Sequence, residues 1–275
     1  MIQSKDAYYI DIPKTASSFL ESCLHSVCNE NTLMYHTSVE YENSNLIFNL
    51  TTKKYAMDNY SDEDNNFIQS AKHGCLDYNV ETHKNKLIFA TIKNPWEYYV
   101  SKFAFRNLTN PRNASNPWIE SAKNRYPNFE NTFDWAVKNI FINTAQHTLT
   151  NQIIHKTKKN YMPIDYTEVE TWFNATYFNN PLMKIIGITD NLGKEFIDLV
   201  LNNKDKFDLK NGYENELHKI AINDKYFASS IYAKFSNPNR VQNLDYKSFY
   251  TSELIDLVYE KDKILIDHYN LKPNW

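Results

Sequence analysis

The sequence predicts an α/β fold in which helices flank a central parallel sheet. Three short segments, 7–12, 87–92 and 183–188, have the length and the β-branched or aromatic composition of buried strands. Apolar residues at helical spacing follow each segment. Strands that alternate with helices indicate parallel pairing, because a parallel crossover needs a connection of helix length. No repeat or domain boundary is evident, so we expect one domain over residues 1–275.

The first strand and the first helix lie near the start of the chain. Residues 7–12 end at Pro13, and apolar residues at helical spacing then run from Ser17 to Val27. Serine is a preferred N-cap residue, which supports a helix start at this point. The segment therefore predicts a strand, a tight turn and a helix.

Two further strand–helix pairs and a final helix follow. The strand at 87–92 leads into a helix near Pro95, since proline suits a first helical turn. The strand at 183–188 precedes a helix at about 192–201. Residues 252–269 carry leucine, valine and isoleucine at helical spacing and predict the clearest amphipathic helix of the chain.

Composition excludes several classes of protein. Only four glycines occur in 275 residues, so neither a G-x-G-x-x-G dinucleotide motif nor a G-x-x-x-x-G-K-[ST] nucleotide loop can be assembled. A net charge of −3 argues against general nucleic-acid binding but leaves a local pocket for a small anion. No apolar run approaches the ~18 residues of a membrane span. No histidine, cysteine or carboxylate cluster has metal-ligand spacing. We expect a cytoplasmic protein without a membrane span or a metal.

The first candidate functional segment is the turn after the first strand. It holds a lysine, Lys14, and three hydroxyl residues, Thr15, Ser17 and Ser18, directly before a helix. Backbone N–H groups at a helix N-terminus, the helix dipole and a lysine charge together form an anion site, usually for phosphate. A serine-capped helix beside a solvated lysine is the alternative that these residues leave open.

The second candidate segment follows the strand at 87–92. Ligands gather at the carboxyl ends of parallel strands, so Lys14 and Lys93 could meet on one ligand. Ser101, at the start of the following helix, could donate its hydroxyl to the same anion. A Pro-Trp helix start that packs against the sheet is the alternative here.

Together the two segments resemble the donor-binding motifs of sulfotransferases that use PAPS (3′-phosphoadenosine 5′-phosphosulfate), especially the carbohydrate branch. Residues 13–18, P-K-T-A-S-S, resemble its 5′-phosphosulfate loop, I-P-K-T-A-[GS]-[ST]-S, and residues 93–101, K-N-P-W-E-Y-Y-V-S, resemble its 3′-phosphate motif, R-N-P-W-D-R-x-V-S. Residues 186–192 are similar to I-G-x-x-E-N-L, and residues 246–254 are similar to Y-x-x-x-Y-T-x-E-L. The four matches occur in order over nearly the whole chain.

The resemblance implies a P-loop-like sulfotransferase domain that moves a sulfuryl group from PAPS to an acceptor hydroxyl, releasing PAP, without a metal. The implied acceptor is a glycan. The residues that the two motifs assign to the donor are Pro13, Lys14, Thr15, Ala16, Ser17, Ser18, Lys93 and Ser101. Lys14 takes the role of stabilising the leaving phosphate. Eukaryotic relatives of this kind carry an N-terminal membrane anchor, which this sequence lacks, and a cytoplasmic enzyme is therefore expected.

The departures from the motifs of the family include three positions that matter for charge or for the donor motifs. Lys93 and Tyr98 stand where arginines are usual, and Asp190 stands where a glutamate is usual. Lysine keeps the charge of arginine but loses the bidentate fork that suits phosphate. We therefore expect a weaker hold on the 3′-phosphate.

The resemblance also suggests the catalytic base. His73 precedes the second donor strand, where the carbohydrate branch often carries a histidine, and an imidazole pKa near 6.5 suits proton abstraction. His36 and His147 are alternatives, and without the resemblance His73 would be taken for a surface histidine. His268 lies on the apolar face of the last predicted helix and is expected in the core.

Three aromatic residues could stack on sugar rings: Trp118, Tyr126 and Trp135.

Two other functional classes stay open at this point. One is a nucleotide-dependent kinase on a related fold, although the chain lacks a glycine-rich loop and an evident carboxylate for Mg²⁺. The other is a glycan- or nucleotide-binding protein that descends from the enzyme, which the loss of the two arginines makes conceivable.

Overall fold

In the described residues, helices separate the three strands that the sequence predicts, and these strands pair in parallel, which confirms the predicted α/β fold. The structure is a computed structural model, and it describes residues 1–13, 15–29, 31–36, 47–49, 75–108, 117–142, 148–158, 161, 163, 165–189, 191–222 and 245–275. The chain divides into two compact units. Unit 1 comprises Met1–Ile92 and Ile153–Ala233, and unit 2 comprises Lys93–Gln152 and Lys234–Trp275.

Within the described residues, unit 1 contains a six-stranded sheet. Its strands are β1 (Ile2–Ser4), β2 (Ala7–Ile10), β3 (Met34–His36), β4 (Ile47–Asn49), β5 (Leu87–Thr91) and β6 (Met183–Ile186), in the order β4-β3-β1-β2-β5-β6. Strands β2, β5 and β6 pair in parallel and are the three that the sequence predicts. Strands β1, β3 and β4 extend the sheet through antiparallel pairs. A strand of three residues carries too short an alternation to be recognised in the sequence.

The register of the parallel strands aligns their carboxyl ends. Ile10 lies opposite Ala90, and Thr91 lies opposite Ile186. All five residues of β5 are buried, as expected for a central strand covered on both faces. The chain segments that follow β2, β5 and β6 therefore begin at one edge of the sheet.

The α-helices of the described residues are α1 (Ser17–Val27), α2 (Val80–His83), α3 (Pro95–Leu108), α4 (Pro117–Arg125), α5 (Phe133–Ala136), α6 (Leu149–Thr157), α7 (Tyr166–Phe173), α8 (Leu192–Asn202), α9 (Tyr213–Ile222) and α10 (Ser252–Tyr269). Short π-helical segments, Val137–Phe141 and Asn174–Phe178, continue α5 and α7. Helices α1, α3, α8 and α10 correspond to the four helices predicted from apolar spacing. None of the helices in the described residues combines the length and the apolar composition that crossing a membrane requires.

Helices α1, α8 and α9 cover one face of the sheet in unit 1. The apolar residues of helix α1 recur at intervals of three and four, and its polar residues Glu21 and Ser22 are buried as well. Its buried apolar side chains are Phe19, Leu20, Cys23, Leu24 and Val27, and they join a cluster with Tyr9 and Phe89 of the sheet and with Phe196, Val200 and Ile220 of the other two helices. This packing fixes the position of α1, and therefore of the turn that precedes it, on the sheet.

A buried carboxylate connects three helices of unit 2. The Tyr99 hydroxyl donates to Asp262 Oδ2 at 2.7 Å, and the Thr150 N–H and hydroxyl both donate to Asp262 Oδ1 at 2.7 Å. Burial raises the pKa of the Asp262 carboxyl, and the hydrogen bonds from Thr150 and Tyr99 oppose that rise. The backbone of Asp262 is not helical (φ −115°, ψ 20°), so α10 is kinked at this residue.

The kink changes which residues of α10 face the core. Ile264, Leu265 and Ile266 are buried, whereas His268 is exposed. The prediction of His268 as a core residue is therefore wrong, because it extended one helical period through Asp262.

Candidate functional site

The turn between β2 and α1 contains the first group of predicted donor-binding residues. The Thr15 N–H donates to the Ile12 carbonyl at 3.3 Å, and the Thr15 hydroxyl donates to the same oxygen at 2.7 Å. Pro13 suits the second position of such a turn because its φ is fixed near −65°. The two hydrogen bonds close the turn directly after a central strand.

Helix α1 begins at this turn with open backbone donors. Ala16 is the N-cap residue and adopts a left-handed conformation (φ 67°, ψ 29°), which costs a residue other than glycine roughly 1–2 kcal/mol. No side chain caps the helix, so Ser17, the expected cap, is its first helical residue. The N–H groups of Ala16, Ser17 and Ser18 have no acceptor among the described residues. Ala16 is exposed and Ser17 half-buried, so an anion can reach this end of the helix dipole.

Three buried hydroxyls connect the turn to the sheet. The Thr15 and Thr91 oxygens are 2.7 Å apart, and the Tyr9 and Thr91 oxygens are 3.0 Å apart. Because Thr15 gives its single proton to Ile12, Thr91 must donate to Thr15 and Tyr9 must donate to Thr91. Burial is the main reason that the pKa of Tyr9 rises well above its ordinary value. The Thr15 hydroxyl therefore points its proton into the protein, and it fixes the turn.

No sequence pattern assigned a role to Tyr9 or Thr91. A hydroxyl in each of two otherwise apolar strands was the available signal, since a buried hydroxyl needs a partner. The sequence does not identify the hydrogen-bond partner of either hydroxyl, however.

Several predicted residues lie outside the described part of the structure. These are Lys14, His73, His147 and Asp190, together with the side chains of Ser18, His36 and Trp118. Their roles stay predictions.

The second group of predicted residues forms a cluster around Lys93 in unit 2. The Lys93 ammonium donates to Ser101 Oγ at 3.0 Å and to the Tyr246 hydroxyl at 3.0 Å. The structure thus brings together Lys93 and Ser101, which the sequence assigns to one anion. Tyr246 belongs to a motif quoted for the resemblance, but the sequence assigned it no role.

A carboxylate completes this Lys93 cluster. Glu97 Oε2 lies 3.2 Å from Lys93 Nζ, and the two side chains are 18% and 26% exposed. An ammonium has three donors, and the contacts with Ser101, Tyr246 and Glu97 use all of them. The Asn274 amide donates to Glu97 Oε1 at 3.1 Å and so holds the carboxylate from its other side. An external anion would have to compete with Glu97 for the lysine.

The start of α3 is also held by α10 and by the residues just before and after that helix. The Asn94 side chain donates to the Lys272 carbonyl at 2.6 Å, and the Trp96 indole donates to the Ile255 carbonyl at 3.2 Å. The Tyr250 hydroxyl donates to the Trp96 carbonyl at 2.7 Å, and burial raises the pKa of Tyr250. The Asn-Pro-Trp segment is therefore held rigidly next to Lys93.

Tyr98 occupies a position where the resembled motif has an arginine. Its ring is buried, at 1% exposure, and its hydroxyl accepts from Lys102 Nζ at 3.4 Å. Lys102 Nζ also lies 5.3 Å from the centroid of the Tyr98 ring and 5.2 Å from that of Phe141. The nearest cation to Tyr98 along α3 is therefore Lys102, which lies one helical turn further on and is surrounded by aromatic rings.

The loop after β6 binds a carboxylate of its own chain. Glu195 accepts from the N–H groups of Gly187 at 2.8 Å and Thr189 at 2.7 Å, and from the Thr189 hydroxyl at 2.6 Å. Gly187 has φ 88°, and a Cβ there would lie 2.4 Å from the Ile92 carbonyl oxygen, so only glycine fits. The motif at residues 186–192 thus brings Gly187 close to the backbone of Ile92, the residue before Lys93.

Two further groups of side chains lie outside the two candidate segments. Trp135 contacts Tyr126 and Phe129 edge-on, with ring centroids 5.5 and 5.0 Å apart, and all three are half-buried. In unit 1, His155 Nε2 lies 3.9 Å from the Cys75 sulfur. Burial, followed by the charge of Lys156, lowers the pKa of His155.

The described residues contain no group of three histidine, cysteine or carboxylate side chains that could hold a metal ion. The metal-free reaction stays a prediction.

The comparisons with known proteins give one distant likeness. No family model and no curated protein matches the sequence. The crystal structure of mouse sulfotransferase SULT7A1 complexed with PAP is similar at 12% sequence identity and a TM-score of 0.46, and the match covers 94% of this chain and 85% of that chain. A likeness at this level assigns neither a family nor a function to the chain.

Proposed function

We propose that residues 1–275 form one functional domain, a cytoplasmic sulfotransferase that uses PAPS without a metal. The observation that carries the proposal is the start of α1. Three backbone N–H groups, which have no acceptor among the described residues, stand there on a hydrogen-bonded turn after a central strand, within the segment that resembles the 5′-phosphosulfate loop. Such an arrangement suits a phosphate or sulfate group.

The turn would hold the sulfuryl end of the donor. When bound, PAPS supplies the sulfuryl group that is transferred. The N–H groups of Ala16, Ser17 and Ser18 would face the negative charge that develops there, while Pro13 and Thr15 keep the turn closed. Lys14, by resemblance, adds the positive charge next to the leaving phosphate. Fixed donors aimed at developing charge are usually the largest single contribution to catalysis.

The Lys93 cluster would hold the 3′-phosphate. Lys93 and Ser101 already share a hydrogen bond at 3.0 Å, so their polar groups converge on one small region of unit 2. The Tyr246 hydroxyl lies within the same region. A doubly charged phosphate can compete with the singly charged Glu97 carboxylate, because at the same distance its two charges attract the ammonium more strongly.

A thermal-shift series tests the donor. We expect PAP to raise the melting temperature, because a ligand that binds only the folded state stabilises it by mass action. ATP with Mg²⁺ should do much less. Lys14→Ala should reduce the PAP shift, whereas Lys123→Ala, a surface lysine of α4, is the matched control. A larger shift with ATP and Mg²⁺ than with PAP would favour a kinase and overturn the proposal.

We also propose a sugar hydroxyl as the acceptor. The resemblance to the carbohydrate branch supports it, and so do the half-buried rings of Tyr126 and Trp135, since aromatic faces suit sugar rings. Incubation of the enzyme and PAPS with a panel of glycans, phenols and peptides, followed by detection of the sulfated product, tests this choice. Sulfation of phenols or peptides alone would contradict it.

His73 is proposed as the base that removes the proton of the acceptor hydroxyl. His73→Ala should lower kcat by about 10²–10⁴, with PAP binding nearly unchanged and the acid limb of the pH–rate profile lost. The same measurements on His36→Ala, His147→Ala and His155→Ala are the comparison. An equal loss of rate and PAP affinity in His73→Ala would instead place this residue in the donor site or the fold.

A further inference from the structure

We infer that Tyr9 and Thr91 are positioning residues of the donor site, which hold the turn before α1 through a directed chain of hydroxyl groups. The inference rests on the proposed function, because the turn is the segment assigned to the 5′-phosphosulfate. Neither residue contacts the region open to the ligand, since both are fully buried.

The direction of the chain is fixed at one end by the Ile12 carbonyl, which can only accept. The protons therefore run from Tyr9 to Thr91, from Thr91 to Thr15 and from Thr15 to Ile12, over O···O distances of 3.0, 2.7 and 2.7 Å. Every hydroxyl in the chain except Tyr9 both donates and accepts. Removing the middle member leaves a buried donor and a buried acceptor without partners.

The turn needs such support because its next residue is strained. Ala16 holds φ 67°, a left-handed conformation that an alanine keeps only when its surroundings impose it. Phe19 and Leu20 restrain Ala16 from the helix side, donating to its carbonyl at 3.0 and 3.2 Å. On the other side, the residue before it is Thr15, which the hydroxyl chain fixes to β5. The direction of the Ala16, Ser17 and Ser18 N–H groups therefore depends on Thr91.

Unit 1 offers a matched control for this chain. The Tyr177 and Thr157 oxygens are 2.7 Å apart, and the Thr157 hydroxyl donates to the Ile153 carbonyl at 2.7 Å. Both residues are buried, and the order tyrosine, threonine, carbonyl is the same. This second chain joins α6 to the π-helical segment after α7, and no predicted donor-binding residue takes part in it.

The experiment compares Thr91→Val with Thr157→Val. PAP affinity is measured by calorimetry and stability by urea unfolding, on the full chain. Both variants should lose stability, since each leaves buried hydroxyl groups unpaired. Only Thr91→Val should weaken PAP binding, by about tenfold, the ratio that corresponds to ~1.4 kcal/mol. Thr91→Ser keeps the hydroxyl and should restore the affinity of the wild type.

Tyr9→Phe supplies the same test if Thr91→Val does not fold. It removes the first donor of the chain and should weaken PAP binding about threefold, by the same conversion. If the wild type binds PAP and both Thr91→Val and Tyr9→Phe bind it with the same affinity, the inference is overturned and the proposed function stays intact. Equal loss of affinity in Thr157→Val would also overturn it, because the effect would then be general. A wild type that binds no PAP would overturn the proposed function together with the inference.

Discussion

The turn before α1 and the Lys93 cluster are both suited to anions, but they are prepared in different ways. The turn offers backbone N–H groups that no described residue accepts from, and the first turn of α1 contains no acidic residue. Lys93 carries a full charge, yet Glu97, Ser101 and Tyr246 already use its three donors. One site is open and fixed, whereas the other is closed by groups of its own chain.

The difference follows from the type of donor. Backbone N–H groups at a helix start cannot rotate away, so a rigid turn can leave them open and still keep them in place. A lysine side chain has four flexible bonds and a strongly hydrated charge, so it needs partners to hold one position. We therefore expect the turn to act mainly on the rate and the Lys93 cluster mainly on donor affinity.

Of the two anion-binding regions, the turn should show the larger effect. Lys14→Ala should lower the rate of sulfuryl transfer by about 10²–10³, the usual loss when one group that stabilises the developing charge is removed. The loss should exceed the loss in PAP affinity, because the charge on the leaving phosphate grows in the transition state. Single-turnover rates and PAP affinities check this, with Lys123→Ala as the control. Equal losses in both quantities would show that the turn is a binding site alone.

The next effect is on the Lys93 cluster. Lys93→Ala should weaken PAP binding by about tenfold to a hundredfold, since a hydrogen bond to a charged group contributes roughly 1.5–3 kcal/mol. The turnover rate at saturating PAPS should change little. Calorimetric titration of PAP into the variant gives the affinity. An unchanged affinity would mean that the cluster does not reach the ligand.

A smaller effect of opposite sign should follow from Glu97→Gln. The change removes the charge of the internal carboxylate next to Lys93, so PAP should bind about two- to fivefold more tightly, a ratio that corresponds to roughly 0.4–1 kcal/mol. Glu120→Gln is a matched control, because Glu120 lies 3.2 Å from Lys123 on an exposed helix of the same unit. If Glu97→Gln weakens PAP binding instead, the carboxylate orients Lys93 and does not compete with the ligand.

Asp262→Asn should leave PAP binding unchanged, because Asp262 supports the buried packing of unit 2 and does not belong to the Lys93 cluster. Because burial raises the pKa of Asp262, the folded state binds this proton more tightly than the unfolded state. The contribution of Asp262 to stability is therefore full below about pH 4 and declines as the pH rises through the folded pKa. The stability of Asp262→Asn relative to the wild type should rise from pH 4 to pH 7 in urea unfolding. A constant difference would show that the carboxyl does not titrate in this range.

The sequence by itself determined the elements that repeat a local pattern. Strands β2, β5 and β6 have runs of apolar and β-branched residues, and α1, α3, α8 and α10 have apolar residues at intervals of three and four. These patterns act over a few neighbouring residues, so they can be recognised without the rest of the chain. The segment 13–18 was also recognisable, because its turn and helix start are formed by consecutive residues.

Only the tertiary structure decided which polar groups meet. Thr15 and Thr91 are 76 positions apart, and Lys93 and Tyr246 are 153 positions apart, yet each pair shares a hydrogen bond. No periodicity relates such residues, because the sheet register brings the first pair together and the packing of unit 2 the second. The same holds for Asp262, a charged residue whose burial depends on Tyr99 and Thr150 being placed to donate to it. Local patterns fix the elements, and the assignment of each polar group depends on contacts that form only when those elements pack.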